Sequence, residues 1–152
     1  MTARQVSLSV RPAEAADAPS WRELFDQYCA ALGDALPDEV ADQVWERIIG
    51  ADPAIGCLLA CDGAEVVGFA NFVLHPHTWS LRPVCYLEDL FVAPVARGAG
   101  AGQRLIQALA DLGKRKGWRR VYWHAHETNY RARTLYDRLA PRTDYVRYDI
   151  EL

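Results

Sequence analysis

No apolar run in this chain reaches the ~20 residues of a membrane span, and no charged-then-apolar leader opens it. A cytoplasmic protein with no membrane partner is the expectation. No repeat, low-complexity tract or linker interrupts the 152 residues, which points to one domain over 1–152. The four cysteines, Cys29, Cys57, Cys61 and Cys85, form no Cys-x-x-Cys pair, which argues against a disulfide framework or a zinc knuckle. His75 with His77, and His124 with His126, would each share a strand face if extended. No carboxylate or thiolate joins either pair to complete a ligand set, so no metal is expected. No nucleic-acid motif is present, and a net charge of −3 gives no basic footprint for one.

What is present is enough apolar material for a core: 51% of the residues are hydrophobic. The charge is unevenly spread. Residues 1–80 carry 4 basic and 12 acidic residues, a balance of −8, whereas 81–152 carry 13 and 8, a balance of +5. The second half therefore suits an anionic ligand and the first a cationic one. Part of the positive charge has a plainer role, since Lys114, Arg115 and Lys116 fall in the last turn of an expected helix.

Periodicity lays out the elements. Ser7 to Val10 reads as the end of a first strand. A helix from Ala13 or Ala16 carries Leu24, Phe25, Tyr28 and Leu32 and ends at Gly33, and a second starts at Pro37 and carries Val40, Val44 and Ile48. Ile55–Ala60 and Glu65–Leu74 form a hairpin around Asp62-Gly63. A loop with Pro76 leads to a strand over Val84–Val92, then a helix over Gly100–Lys116 stopped by Gly117. A strand over Trp118–Ala125, a helix over Asn129–Leu139 and a last strand over Tyr145–Ile150 complete the chain. The fold class is α/β (α+β), a mixed sheet flanked by helices.

Between the strand ending at Val92 and the helix lies Arg97-Gly98-Ala99-Gly100-Ala101-Gly102. Chain that leaves a strand, crosses a loop with few side chains and opens a helix exposes backbone N–H groups without internal partners. Those groups and the helix dipole favour an anion, and glycine removes the Cβ atoms that would hold a phosphate off. The loop has neither the lysine nor the hydroxyl of a Walker motif, and Gly-x-Gly-x-Gly is not the dinucleotide spacing. A plainer use of Gly100 and Gly102 is close packing of helix on strand.

Arg97-x-x-Gly100-x-Gly102 after Val92-x-Pro94 resembles the pyrophosphate motif of the GCN5-related N-acetyltransferase (GNAT) superfamily. Trp123-x5-Asn129-x2-Ala132-x2-Leu135-Tyr136 resembles its second signature, and Val10-Arg11-Pro12-Ala13 leading to Asp17 its first strand and helix entry. Leu87-Glu88-Asp89 resembles the polyamine branch, and Thr128-Asn129-Tyr130-Arg131-Ala132 with Tyr145-Val146-Arg147-Tyr148 the yeast-type histone, polyamine and D-amino-acid branch. One departure is Ala140-Pro141, where the family commonly has glycine.

The resemblance implies an acetyl-CoA-dependent N-acetyltransferase acting on a primary amine, a small molecule or a lysine-containing peptide. Acyl transfer to an amine needs a base, because a free alkylammonium has a pKa of about 10, and it gains from a proton donor at the leaving thiolate. Glu88 is the candidate base, in an apolar strand where an idle carboxylate would be costly to bury. Asp89 is the candidate substrate contact or alternative base. Strict alternation puts Glu88 with Tyr86 and Leu90, and Asp89 on the other face with Leu87 and Phe91; a bulge would blur this. Tyr136 is the candidate acid, although it also lies on an apolar helix stripe. The resemblance further implies that pantetheine adds to the backbone of Leu90, Phe91 and Val92, that the pyrophosphate meets the amides of Arg97, Gly98, Ala99, Gly100, Ala101 and Gly102, and that Asn129 holds the pantetheine arm. Asn129 could equally be a simple N-cap. Dimers are frequent in the resembling branch, so a homodimer is among the assemblies allowed. The competing function is a module that binds acyl-CoA as a sensor without turnover; a purely dimerising partner would leave both motifs unexplained.

Overall fold

A computed structural model describes residues 5–152. Five strands form one sheet in the order β1 (Leu8–Pro12), β2 (Ile55–Asp62), β3 (Glu65–His77), β4 (Ser80–Val92) and β5 (Val121–Tyr122). The first three pairings are antiparallel and β4–β5 is parallel, so the sheet is mixed and mostly antiparallel, as expected. Helices α1 (Ala18–Ala31) and α2 (Asp38–Ile49) lie between β1 and β2 in sequence, α3 (Ala101–Lys116) between β4 and β5, and α4 (Tyr130–Leu139) follows β5.

Alternation along β2 shows why both faces are buried. Leu58 and Ala60 pack with Ala70, Phe72, Cys85 and Leu87 against Leu105, Ile106 and Leu109 of α3. Cys57, Leu59 and Cys61 point the other way, with Phe69 and Phe91, against Trp21, Leu24 and Phe25 of α1 and Ala41 and Trp45 of α2. A sheet covered on both sides needs apolar residues on both, which is why its strands read as nearly unbroken apolar runs. The thiols of Cys57, Cys61 and Cys85 are part of these layers and free, as is the half-buried Cys29.

The entry to α1 is set by a bidentate pair. Arg11 Nη1 and Nη2 donate to Asp17 Oδ2 and Oδ1 at 2.7 and 2.8 Å, and Glu14 N donates to the same carboxylate at 2.8 Å. These bonds hold the Asp17 carboxyl below the ordinary carboxylate range, against the opposing effect of burial. At the far end of α3, Gly117 adopts φ +74°, and Trp118 N bonds back to Gly113 O at 2.9 Å. The Trp118 ring then sits where a side chain at 113 would be, 2.8 Å from a Cβ built there.

Four expectations change. Pro76 is not in a loop but near the end of β3, at a register shift between His75 and His77 where it owes no hydrogen bond to the ladder. The strand after it begins at Ser80 rather than Val84. The strand expected over Trp118–Ala125 is reduced to Val121–Tyr122, because Trp123 turns to pack on Tyr136 of α4, ring centroids 5.5 Å apart. The strand expected over Tyr145–Ile150 does not form: the segment is exposed, and among the described residues no backbone–backbone bond ties it to the sheet.

Candidate active site

The glycine loop makes one turn of tight helix over Pro94–Ala96, then passes Gly98 at φ +90° and Gly100 at φ +88° into α3. A Cβ at either position would meet nothing within 4 Å, so backbone conformation and not packing demands glycine there. At Gly102 a Cβ would make ordinary contact, 3.6 Å from Leu135 Cδ2 and 3.9 Å from Val92 Cγ2, and neither crowding nor positive φ asks for glycine. Close helix–strand packing therefore does not account for these residues. The first backbone bond into the helix is Arg104 N to Gly100 O at 3.0 Å, which leaves the amides of Ala101, Gly102 and Gln103 without a partner in the helix. Ala101 is buried in the core at 3% exposure, whereas Ala99 is exposed.

The loop begins at the end of a half-open strand. β4 pairs with β5 only at Cys85↔Val121 and Tyr86↔Tyr122. Beyond Tyr86, residues 87–92 keep β3 on one side and, among the described residues, have no strand on the other. This free edge over Leu90, Phe91 and Val92 can accept an extended ligand by main-chain bonding and leads straight to the free amides of α3. Arg97 folds back on the strand end: its Nε donates to Val92 O at 3.0 Å, and its guanidinium lies 5.5 Å from the centre of the Phe91 ring.

The two acidic residues lie on a bulge. β3 and β4 pair as Asn71↔Asp89 and then Phe72↔Leu87, so Glu88 is the extra residue. Leu87 and Leu90 both pack toward α3, whereas Asp89 joins Phe91 and Asn71 on the α1 side. Glu88 acts on Tyr86 and Tyr122 of that same side. Strict alternation thus fails at this point: Glu88 and Asp89 share one face, and Asp89 parts company with Leu87. Glu88 is also exposed rather than buried mid-strand. Its carboxyl is pushed above the ordinary range by partial desolvation and by Asp89, with Arg147 opposing. Asp89 is half-buried and likewise raised by burial, with Asn71 and Tyr28 holding it back through hydrogen bonds.

Behind Asp89 runs a buried polar chain that the sequence did not disclose. Trp21 Nε1 donates to Asn71 Oδ1 at 3.0 Å, and Asn71 Nδ2 donates to Asp89 Oδ2 at 3.1 Å. The one available signal was an amide inside the apolar run of Glu65–Leu74. Beside Glu88 lies a second unforeseen group. Tyr86 and Tyr122 rings are 5.0 Å apart, with Tyr122 Oη 2.8 Å from His75 Nε2 and Tyr86 Oη 3.0 Å from His124 Nδ1.

Tyr136 is half-buried, and burial raises its phenol above the ordinary range. Its ring packs with Trp123 and Leu139 at the margin of the α3-side core. Tyr136 also adds electrostatically to the raised pKa of Tyr28, less than burial and Asp89 do. Asn129 caps α4, its Oδ1 accepting from Ala132 N at 3.3 Å. Glu88 and Asp89 thus sit where the β4 edge opens, with the glycine loop at its far end, and the Tyr136 ring lies with the α3-side core.

Known proteins match the chain in sequence and in fold. The sequence model described as "Acetyltransferase (GNAT) family" matches residues 19–140. The chain is 32% identical over 141 residues to the D-amino-acid N-acetyltransferase of Saccharomyces cerevisiae, covering 91% of this chain and 88% of that one. It is 33% identical over 95 residues to the thialysine N-epsilon-acetyltransferase of Mus musculus, covering 57% and 55%. A ribosomal-protein-alanine N-acetyltransferase from Brucella melitensis superposes with a TM-score of 0.80 at 25% identity, over 96% of this chain and 100% of that one. The aminoglycoside acetyltransferase AAC(6')-Iy, solved with a CoA-containing bisubstrate analogue, shares the fold with a TM-score of 0.82 at 23% identity, over 96% and 99%.

Proposed function

Because the chain belongs to the GNAT family of acetyltransferases, we propose that it moves the acetyl group of acetyl-CoA directly to a primary amine in a ternary complex. The observation that carries this reading is the single path from the free amides of α3, along the open edge of β4, to two carboxylates. The residues fit the donor. Gly98, Gly100 and Gly102 leave room for a pyrophosphate at the helix N-terminus, and the open edge at Leu90–Val92 offers main-chain groups to pantetheine, apart from Val92 O, which accepts from Arg97 Nε. Asn129 keeps its amide NH₂ for the same arm, its oxygen being engaged in the cap.

Glu88 takes one proton from the acceptor ammonium, directly or through water, and its raised pKa suits that task better than an ordinary carboxylate would. The neutral amine forms the C–N bond as the C–S bond breaks, with the electron pair leaving on sulfur. Tyr136 gives its proton to that sulfur and regains one from the nitrogen, so the amide, CoA thiol and one released proton balance the reaction. Alignment along the cleft supplies much of the rate. The acceptor is a polyamine, an amino acid or a lysine side chain, a range supported by the relatives named for D-amino acids and thialysine. We place the reaction in the cytoplasm, in one domain spanning residues 1–152. A homodimer is proposed as the assembly, supported by the exposed alternating segment at Tyr145–Leu152.

The test is release of CoA thiol from acetyl-CoA with spermidine, a lysine peptide or D-amino acids. Glu88→Gln should lower kcat by about 10²–10³-fold and Tyr136→Phe by about 10–100-fold, with CoA affinity unchanged. CoA binding without thiol release from any amine would favour the non-catalytic sensor instead.

A further inference from the structure

We infer that Asn71 and Tyr28 are positioning residues that hold Asp89 ready for the acceptor's ammonium group, an assignment that rests on the amine-binding reading above. Asn71 is 4% exposed and lies beside Phe69 and Ala70, which are fully buried. A buried amide is costly unless both its ends are used. Here both are, and in a forced order. An indole N–H can only donate, so Trp21 Nε1 fixes the Asn71 oxygen toward α1, and the NH₂ must then face Asp89. The flipped amide would set two donors against each other.

Tyr28 completes the arrangement from the same helix. Trp21, Phe25 and Tyr28 form one stripe of α1, the Tyr28 ring packs on Phe25, Phe69 and Phe91, and its phenol lies near enough to Asp89 for the two to perturb each other's titration. Asp89 is thus bonded from β3 by Asn71 and neighboured from α1 by Tyr28. A carboxylate has about four acceptor sites, so two donors leave others for a ligand on its half-exposed side. The bulge also puts Glu88 alongside it. Among the described residues, neither carboxylate forms an ion pair with a lysine or arginine, and Arg147, the cation that acts on Glu88, is bonded to Asp149 at 2.8 Å. Two adjacent negative charges, one rigidly oriented, are complementary to an alkylammonium.

A double-mutant cycle on equilibrium binding tests this without relying on turnover. Spermidine, a lysine peptide and D-alanine would each be titrated calorimetrically into the CoA-saturated protein. At least one should bind the parent chain, and Asp89→Asn should weaken it by about tenfold or more, the scale of a lost bond to a charged group. Tyr28→Phe keeps the ring packing and should weaken binding several-fold, as should Asn71→Leu. In the Asp89→Asn background Tyr28→Phe should then do nothing further, with CoA affinity constant throughout. If Asn71→Leu does not fold, the Tyr28 cycle alone decides. Additive effects, an unchanged amine affinity in Tyr28→Phe, or no binding of any of the three amines would overturn the assignment. Binding that shows the non-additivity without thiol release would leave it standing and reject acetyl transfer.

Discussion

At Glu88 and Asp89 one inserted residue changes the chemistry available to β4. Without the bulge the two carboxylates would face opposite layers; with it, Asp89 raises the cost of ionising Glu88. Replacing Asp89 with Asn removes a like charge, favours ionised Glu88 and lowers its pKa. The acid limb of kcat/KM should therefore move to lower pH in Asp89→Asn, in a profile taken on saturating acetyl-CoA. A limb that stays put would assign it to another group. Legibility at this scale followed sequence distance. Glu88, Asp89 and Tyr136 were nameable from local motifs, whereas Asn71 acquires meaning only from Trp21 and Asp89, 50 and 18 residues away. The bulge itself was invisible, since alternation tells how a regular strand would point and not where it slips.

At the scale of elements, the loop into α3 and the entry to α1 each carry a prediction. Gly100→Ala forces an L residue to φ +88° and should destabilise the fold by about 1–2 kcal/mol, measured by urea unfolding. Gly102→Ala should leave stability nearly unchanged, because its Cβ finds ordinary space, yet weaken CoA binding in calorimetry if the phosphate approaches there. Asp17→Asn should cost about 2 kcal/mol at pH 7 by breaking the pair with Arg11. Asp17 is lowered in the fold, so its ionisation contributes stability above the ordinary carboxylate range and loses it as pH falls through the folded value; the mutant's deficit should shrink in unfolding curves taken at progressively lower pH. The helices and the Asp62-Gly63 hairpin were readable because period and turn chemistry agree. The segments at Trp118–Ala125 and Tyr145–Ile150 were over-read for one reason: alternation describes extended chain, and a strand also needs a neighbour.

Across the molecule, two apolar layers on either side of one sheet fix the site by holding α1 and α3 on opposite faces of β4. The C-terminal stretch belongs to neither layer. Tyr145, Val146, Tyr148, Ile150 and Leu152 are 73–119% exposed, so removing residues 143–152 should change the unfolding midpoint little if the chain is monomeric. In the proposed homodimer the same truncation should lower the mass seen by sedimentation equilibrium. The wedge between β4 and β5 has a different consequence. Residues 87–92 present a bare strand edge, and bare edges recruit other edges. A ligand lying along that edge would act as a temporary outer strand, and filling the wedge with CoA should delay the onset of light scattering when the protein is heated. The donor would then be a guard against edge-to-edge aggregation, and the chain would be most exposed to it in the interval between turnovers.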